Sequence, residues 1–403
     1  MPPADPDRPQ PATHGMTPAR TALFAVAAGL AVGNLYLAQP LIRVIAQAFG
    51  VAPARAGMLV TATQVGYALG IFLVVPLGDV LDRRRLIPGI LCAAAAMLMG
   101  AALAPTYPAL LAALAGVGLT TVSAQLLAPL AGELAGPHRR GRVVGAIAAG
   151  GLTGILLSRT VSGVVADLCG WRALYAGAAV AALALAIVLR HVLPPLARRG
   201  HIPYPRLLAS VFTTVRRHPA VAPTLAICAA NFAVFSLFWT ALTYLLSAPP
   251  FSYDTGRIGL FGCAGLAGAL GARRAGGLHD RGWSVPASGA AFLLLALALA
   301  AGWAARTSLA GLVAAAVLLD LAVQANLVLG QTRLMALPGD ARSRLNTAMV
   351  ACSFCGGAAG SVSAGPVWAA GGWPAVMATA LCIAGLGFVV WLASRRSRLA
   401  VLA

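Results

Sequence analysis

Unbroken apolar runs of about 20 residues recur along this chain, divided by short clusters of arginine, proline and glycine. At 1.5 Å per residue, a helix of that length crosses roughly 30 Å of hydrocarbon. Composition fits the pattern. Of 403 residues, 60% are hydrophobic and 10% are charged, against about 25% charged in an ordinary soluble domain. Too little polar surface remains for a large soluble enzyme or a disordered protein. The chain reads as an all-α, polytopic membrane protein.

Twelve apolar segments are expected, at 20–42, 55–77, 86–105, 107–131, 143–166 and 171–192, then 220–247, 256–276, 284–304, 308–334, 343–369 and 373–394. Residues 1–19 are proline-rich, without the pattern of a signal peptide, and are expected to be a disordered cytoplasmic tail. Residues 20–192 then form an N-terminal six-helix bundle and 220–394 a C-terminal one. Between them, 193–219 reads as a cytoplasmic linker with a short surface helix at Pro205–Val215, and 395–403 forms a second cytoplasmic tail. Cys352 and Cys355 make a C-x-x-C, but within an expected membrane helix and without a neighbouring histidine or further cysteine. They read as small packing residues, and no metal or cofactor is expected.

The 29 basic residues, all arginine, outnumber the 10 acidic ones. Loops on the N-terminal side, with both tails, hold 23 of them, whereas the opposite loops hold five: Arg43, Arg55, Arg172, Arg257 and Arg306. Such a bias obeys the positive-inside rule with both termini cytoplasmic, which requires an even number of spans. The basic excess therefore calls for no nucleic acid. An internal repeat divides the chain in two: Arg140-Gly141-Arg142 returns as Arg342-Ser343-Arg344, and Gly170-Trp171 returns as Gly372-Trp373, each displaced by 202 positions. Pseudo-symmetric halves around a midplane site are how many secondary transporters are built.

The loop after the second span reads Gly78-Asp79-Val80-Leu81-Asp82-Arg83-Arg84-Arg85, with a degenerate counterpart at Gly277-Leu278-His279-Asp280-Arg281-Gly282. A glycine, an aspartate four residues on, then arginine and a basic cluster resemble the cytoplasmic signature of the major facilitator superfamily, although the second glycine of that signature is missing. Gly150-Gly151-x-x-Gly154 and Ser158 give the fifth span a small-residue face, similar to that of the family's antiporter helix but without its proline. The resemblance implies the two-bundle major facilitator fold and a gating role for Gly78, Asp82, Arg83, Arg85, Asp280 and Arg281. It also places the fifth and tenth spans, from different halves, on the central cavity. Close small-residue contacts on spans five and eleven would let the halves rock.

Two formal charges lie deep in the spans. Asp320 sits about 16 Å from the outer end of span ten, and Arg159 about 12 Å below Asp167. Ionisable groups at such depth are costly and usually functional. Arg159 and Asp320 are the candidate proton-coupling pair, joined in one state and parted in another; the alternative is that Arg159 snorkels outward to Asp167. Gln324 and Gln331 share the Asp320 face. Further cavity candidates are Asn34, Gln39, Gln64, Tyr67, Gln125, Asn231, Phe235 and Trp239, a mixture of amides and aromatics suited to an amphipathic substrate. Trp171, Trp283, Trp303, Trp373 and Trp391 read as interfacial anchors.

The reading is a monomeric secondary transporter in a bacterial inner membrane, with a small-molecule substrate and protons as partners. Export by proton antiport is preferred to proton-coupled or facilitative import. A membrane enzyme lacks its metal-ligand spacing, a primary pump lacks its phosphate loop, and a transporter-like receptor lacks room for a signalling domain.

Overall fold

A computed structural model describes residues 15–136, 139–194, 203–265, 281–337, 339–396 and 399. The described residues are helical throughout the spans and contain no strand. The first half contributes spans at Pro18–Ala48, Met58–Val80, Arg83–Ala102, Tyr107–Leu134, Arg140–Cys169 and Trp171–Val192. The second half contributes Val221–Ser247, Ser284–Ala304, Leu309–Met335 and the long stretch Gly339–Ser394. Only the start of the eighth span, Thr255–Phe261 and the 3-10 turn after it, lies among the described residues.

Helix breaks have local causes. The first span extends to Ala48, beyond the expected end at 42, because it is interrupted at Leu35–Leu37 and resumes at Ala38. Pro40 accounts for the interruption, since it brings no N–H and its ring clashes with the carbonyl four residues back, that of Tyr36. Pro76 marks a like break between Leu73 and Leu77 in the second span. The stretch Gly339–Ser394 is two spans joined at Gly371 and Gly372; Gly372 has φ 60° and Gly170, its partner in the repeat, φ 84°. Each lies in the left-handed region that glycine tolerates, and each precedes a tryptophan. These tryptophans are not anchors: Trp171 and Trp373 are buried, the latter donating to Gly302 O at 2.8 Å. Trp391 is buried too, while Trp283 and Trp303 stay exposed.

The halves have matching interiors. The first span packs on the fifth so closely that a Cβ at Gly154 would overlap the Gly29 carbonyl. The seventh packs on the eleventh in the same way, through Gly356 and Gly360 against the carbonyls of Ala229 and Ala233. The small-residue faces thus join helices within a half, with backbones in van der Waals contact. Other small residues meet the other half: Gly357 and Ser361 at Gln64 and Thr61, and Gly163 of the fifth span at the Thr255 carbonyl of the eighth.

Polar contacts among the described residues close the two halves against each other away from the termini. Arg43 Nη1 donates to Ser247 O at 2.8 Å, Thr243 Oγ1 to Gln39 O at 3.3 Å and Gln64 Nε2 to Ser236 Oγ at 2.9 Å. The Thr61 and Ser361 hydroxyls are 2.8 Å apart, Thr160 Oγ1 donates to Gly259 O, and the Gly256 N–H donates to Asp167 Oδ2 at 2.6 Å. Asp167 therefore seals this face rather than serving as a partner for Arg159. On the terminal face the halves part around a cavity of about 650 Å³. A surface helix, Tyr204–Arg217, underlies both halves there: Phe212 meets Phe72 of the second span, and Val211 packs with the buried side chains of the seventh, tenth and eleventh.

Candidate functional site

Arg159 comes from the first half and Asp320 from the second, and both are almost fully buried, at 3% and 5% exposure. Trp239 of the seventh span lies between them. Its indole N–H donates to Asp320 Oδ1 at 3.0 Å, while the Arg159 guanidinium sits 4.0 Å from the indole centroid. A cation held this way out of water gains about 2 kcal/mol. The two charges make no ion pair within 4.0 Å, yet a Cβ placed on Gly265 would lie 2.7 Å from Asp320 Oδ2 and 3.9 Å from Arg159 Nη1. They are near neighbours across an aromatic bridge. In a low-dielectric interior their attraction is strong without contact.

The Tyr36 ring, 5.3 Å from the Arg159 carbon, stands at the break in the first span, and Gln39 follows one turn later. Gln39 Oε1 accepts from Arg159 Nε at 3.0 Å. Gln39 Nε2 and Arg159 Nη2 have no hydrogen-bond partner among the described residues. The void bordered by Gln39, Arg159 and Trp239 measures about 10 Å³, too small for an organic substrate. Below it a ladder of rings separates the charges from the terminal-face cavity. Trp239, Phe235, Phe232, Phe354 and Tyr67 follow one another at centroid spacings of 6.3, 5.3, 4.7 and 4.4 Å. Tyr67 Oη accepts from Gln125 Nε2 at 3.2 Å, and Gln125 lines the cavity.

Other expected cavity residues are dispersed. Gln64 is buried and bonded to Ser236 and Ser361. Asn231 accepts from Asn326 Nδ2 at 3.2 Å deep between the seventh and tenth spans. Gln324 is half-buried and makes no hydrogen bond among the described residues, whereas Gln331 lines the cavity and bonds to Asn346 at 3.4 Å. Asn34 lines a different feature, a lateral apolar groove between the first, fifth and sixth spans. It ends the helix before the Tyr36 break, and that register turns it away from the centre.

At the cavity mouth the signature loop is organised around Arg83 rather than Asp82. Arg83 Nε donates to Gly78 O at 2.8 Å, Nη2 to Asp79 Oδ1 at 3.2 Å, and Nη1 to Glu133 at 3.2 and 3.3 Å. Asp82 instead caps the third span, accepting from Arg84 N at 2.9 Å. It makes no arginine side-chain pair among the described residues, because the cap turns its carboxylate onto the backbone. Arg85 and Arg281 are exposed, and Asp280 lies outside the described residues. Across the mouth stand Arg342 and Arg344 of the second half. Tyr36, Asn326 and Phe354 were not singled out in the sequence, Asp79 stood there only as part of the signature, and Glu133 was given no role. Only Glu133, the single glutamate, carried a signal. Among the described residues no cluster of three potential metal ligands occurs.

Two helical halves, sealed on one face and open on the other, define a membrane transporter; Arg159 of the first and Asp320 of the second lie buried between them, and Arg333, expected in a loop, is fully buried at the end of the tenth span. The Major Facilitator Superfamily model matches residues 22–319, and the chain belongs to that superfamily. It is 42% identical over 378 residues to the uncharacterized transporter YgaY of Escherichia coli O157:H7, covering 94% of this chain and 96% of the relative. It is 36% identical to the probable transporter SCO4007 of Streptomyces coelicolor, covering 93% and 88%. Among solved structures, a bacterial homolog of the human lysosomal transporter Spinster, inward-facing and occupied, superposes with a TM-score of 0.78 at 14% identity, over 95% of this chain and 98% of that one. The xylose transporter XylE of E. coli, inward open, gives 0.66 at 14% identity, over 92% and 95%.

Proposed function

We propose that this protein exports a small amphipathic molecule across the bacterial cytoplasmic membrane in exchange for protons, with Asp320 carrying the proton and Arg159 as its counter-charge. One observation carries the reading: two buried opposite charges, one from each half, meet through Trp239 at the level where the halves are sealed. While Asp320 is ionised, its attraction for Arg159 holds the outer ends of the halves together. A proton on Asp320 removes that attraction. A substrate entering from the terminal face and parting the aromatic ladder removes it differently, by taking Trp239 and the unused donors of Arg159 and Gln39. Either cargo frees the seal, and the empty, ionised protein stays closed on that face. This is the rule exchange requires.

The arginine bias makes the terminal face cytoplasmic, so the cavity is open to the cell interior. As the outer seal parts, Asp79 and Glu133 approach Arg342 and Arg344 and close the mouth. Both walls of the pathway come from one chain, in keeping with a monomer. The test is a double-mutant cycle. R159Q and D320N alone should each lower transport by at least about tenfold, and R159Q/D320N should recover part of it, because no charge is left uncompensated. A double variant no better than either single one removes the pairing.

A further inference from the structure

Away from the central site, a groove of about 690 Å³ lies between the ninth and twelfth spans at their terminal-face ends. Its floor is the Trp391 ring, laid so closely on Gly289 that a Cβ there would collide with it. The indole N–H donates to Val285 O at 2.8 Å and Phe388 stacks at 5.1 Å, which fixes the ring in place. Leu293 and Leu392 form the walls and are 64% and 45% exposed, so the groove faces the surrounding membrane. At its mouth stand Arg395 and Arg396, with the Arg395 guanidinium 5.1 Å from the Trp391 centroid. No carboxylate lines the groove, and neither arginine has an ion pair among the described residues.

We propose that this groove is a binding site for an anionic phospholipid. One acyl chain lies between Leu293 and Leu392 on the Trp391 ring, and the headgroup phosphate lies between Arg395 and Arg396. The apolar part matches the hydrocarbon and the arginines sit where a span meets the headgroups. Charge complementarity selects the occupant, because two cations above an apolar slot, without an ion pair among the described residues, favour net negative headgroups over zwitterionic ones by roughly tenfold or more. The proposal is independent of the transport mechanism.

Native mass spectrometry of the full chain, titrated with phosphatidylglycerol or phosphatidylcholine, measures that preference. The unmodified protein should bind the first phosphatidylglycerol about tenfold more tightly. R395Q/R396Q should bring the two lipids within about twofold, and L293W, which fills the slot, should weaken both. R216Q/R217Q, an arginine pair at the end of the surface helix, should keep the full preference. Excess inorganic phosphate should not displace the lipid. No preference in the unmodified protein, a preference surviving R395Q/R396Q, equal loss in R216Q/R217Q, or displacement by phosphate alone would each overturn the site.

Discussion

Arg83 and Asp82 are adjacent and bear opposite charges, yet they do different work. Arg83 ties Gly78, Asp79 and Glu133 into one unit at the cavity mouth, whereas Asp82 satisfies a helix N-terminus. R83Q should therefore lower transport by at least about tenfold with insertion near normal. D82N, which keeps a good cap, should stay within about twofold of the original rate; D82A should cost about 1 kcal/mol of stability. Parallel uptake and expression assays separate these outcomes, and equal loss in R83Q and D82N would contradict the assignment. The signature was legible as a string, but spacing does not say which carboxylate faces the arginine. That depends on the turn at Leu81, where the backbone becomes extended before the cap. Arg159 and Asp320 were legible because a charge within a long apolar run has few innocuous explanations. Tyr36 and Phe354 were not, because an aromatic in a membrane helix has many.

At the scale of elements, most spans fell near their expected places because hydrocarbon thickness sets their length. Departures came where proline breaks a helix without ending the span, as Pro40 and Pro76 do. The small-residue faces were visible, but which helix each one meets was not, since a face on the fifth span is equally suited to a partner in either half. Packing assigns its Gly150 and Gly154 to the first span, and Gly163 further along to the eighth. Gly154→Leu should therefore destabilise the protein by about 1–3 kcal/mol through overpacking against Gly29. Gly145→Leu is the control, since a Cβ there meets nothing within 4 Å. Thermal unfolding of the two variants in detergent checks this. Equal stability would mean that the first and fifth spans are not in the close register seen.

Across the whole molecule, the 202-residue repeat predicted two like halves, and the positive-φ glycines before Trp171 and Trp373 show the same turn made twice. Which face is closed could not be read from one sequence, because the proposed cycle has the same chain adopt both states. The Thr61 and Ser361 hydroxyls, 2.8 Å apart across the halves, give that closure a handle. In a background without native cysteines, T61C/S361C should form a disulfide that stops transport, and reduction should restore it. Free turnover with the crosslink formed would show that this face need not open. The central claim, that Asp320 couples substrate movement to protons, is tested most directly in proteoliposomes with an imposed pH gradient. The account predicts that substrate flux follows the gradient, carries a counterflow of protons, and loses its gradient dependence in D320N. Flux that ignores the gradient, or a gradient response that D320N leaves intact, would contradict it.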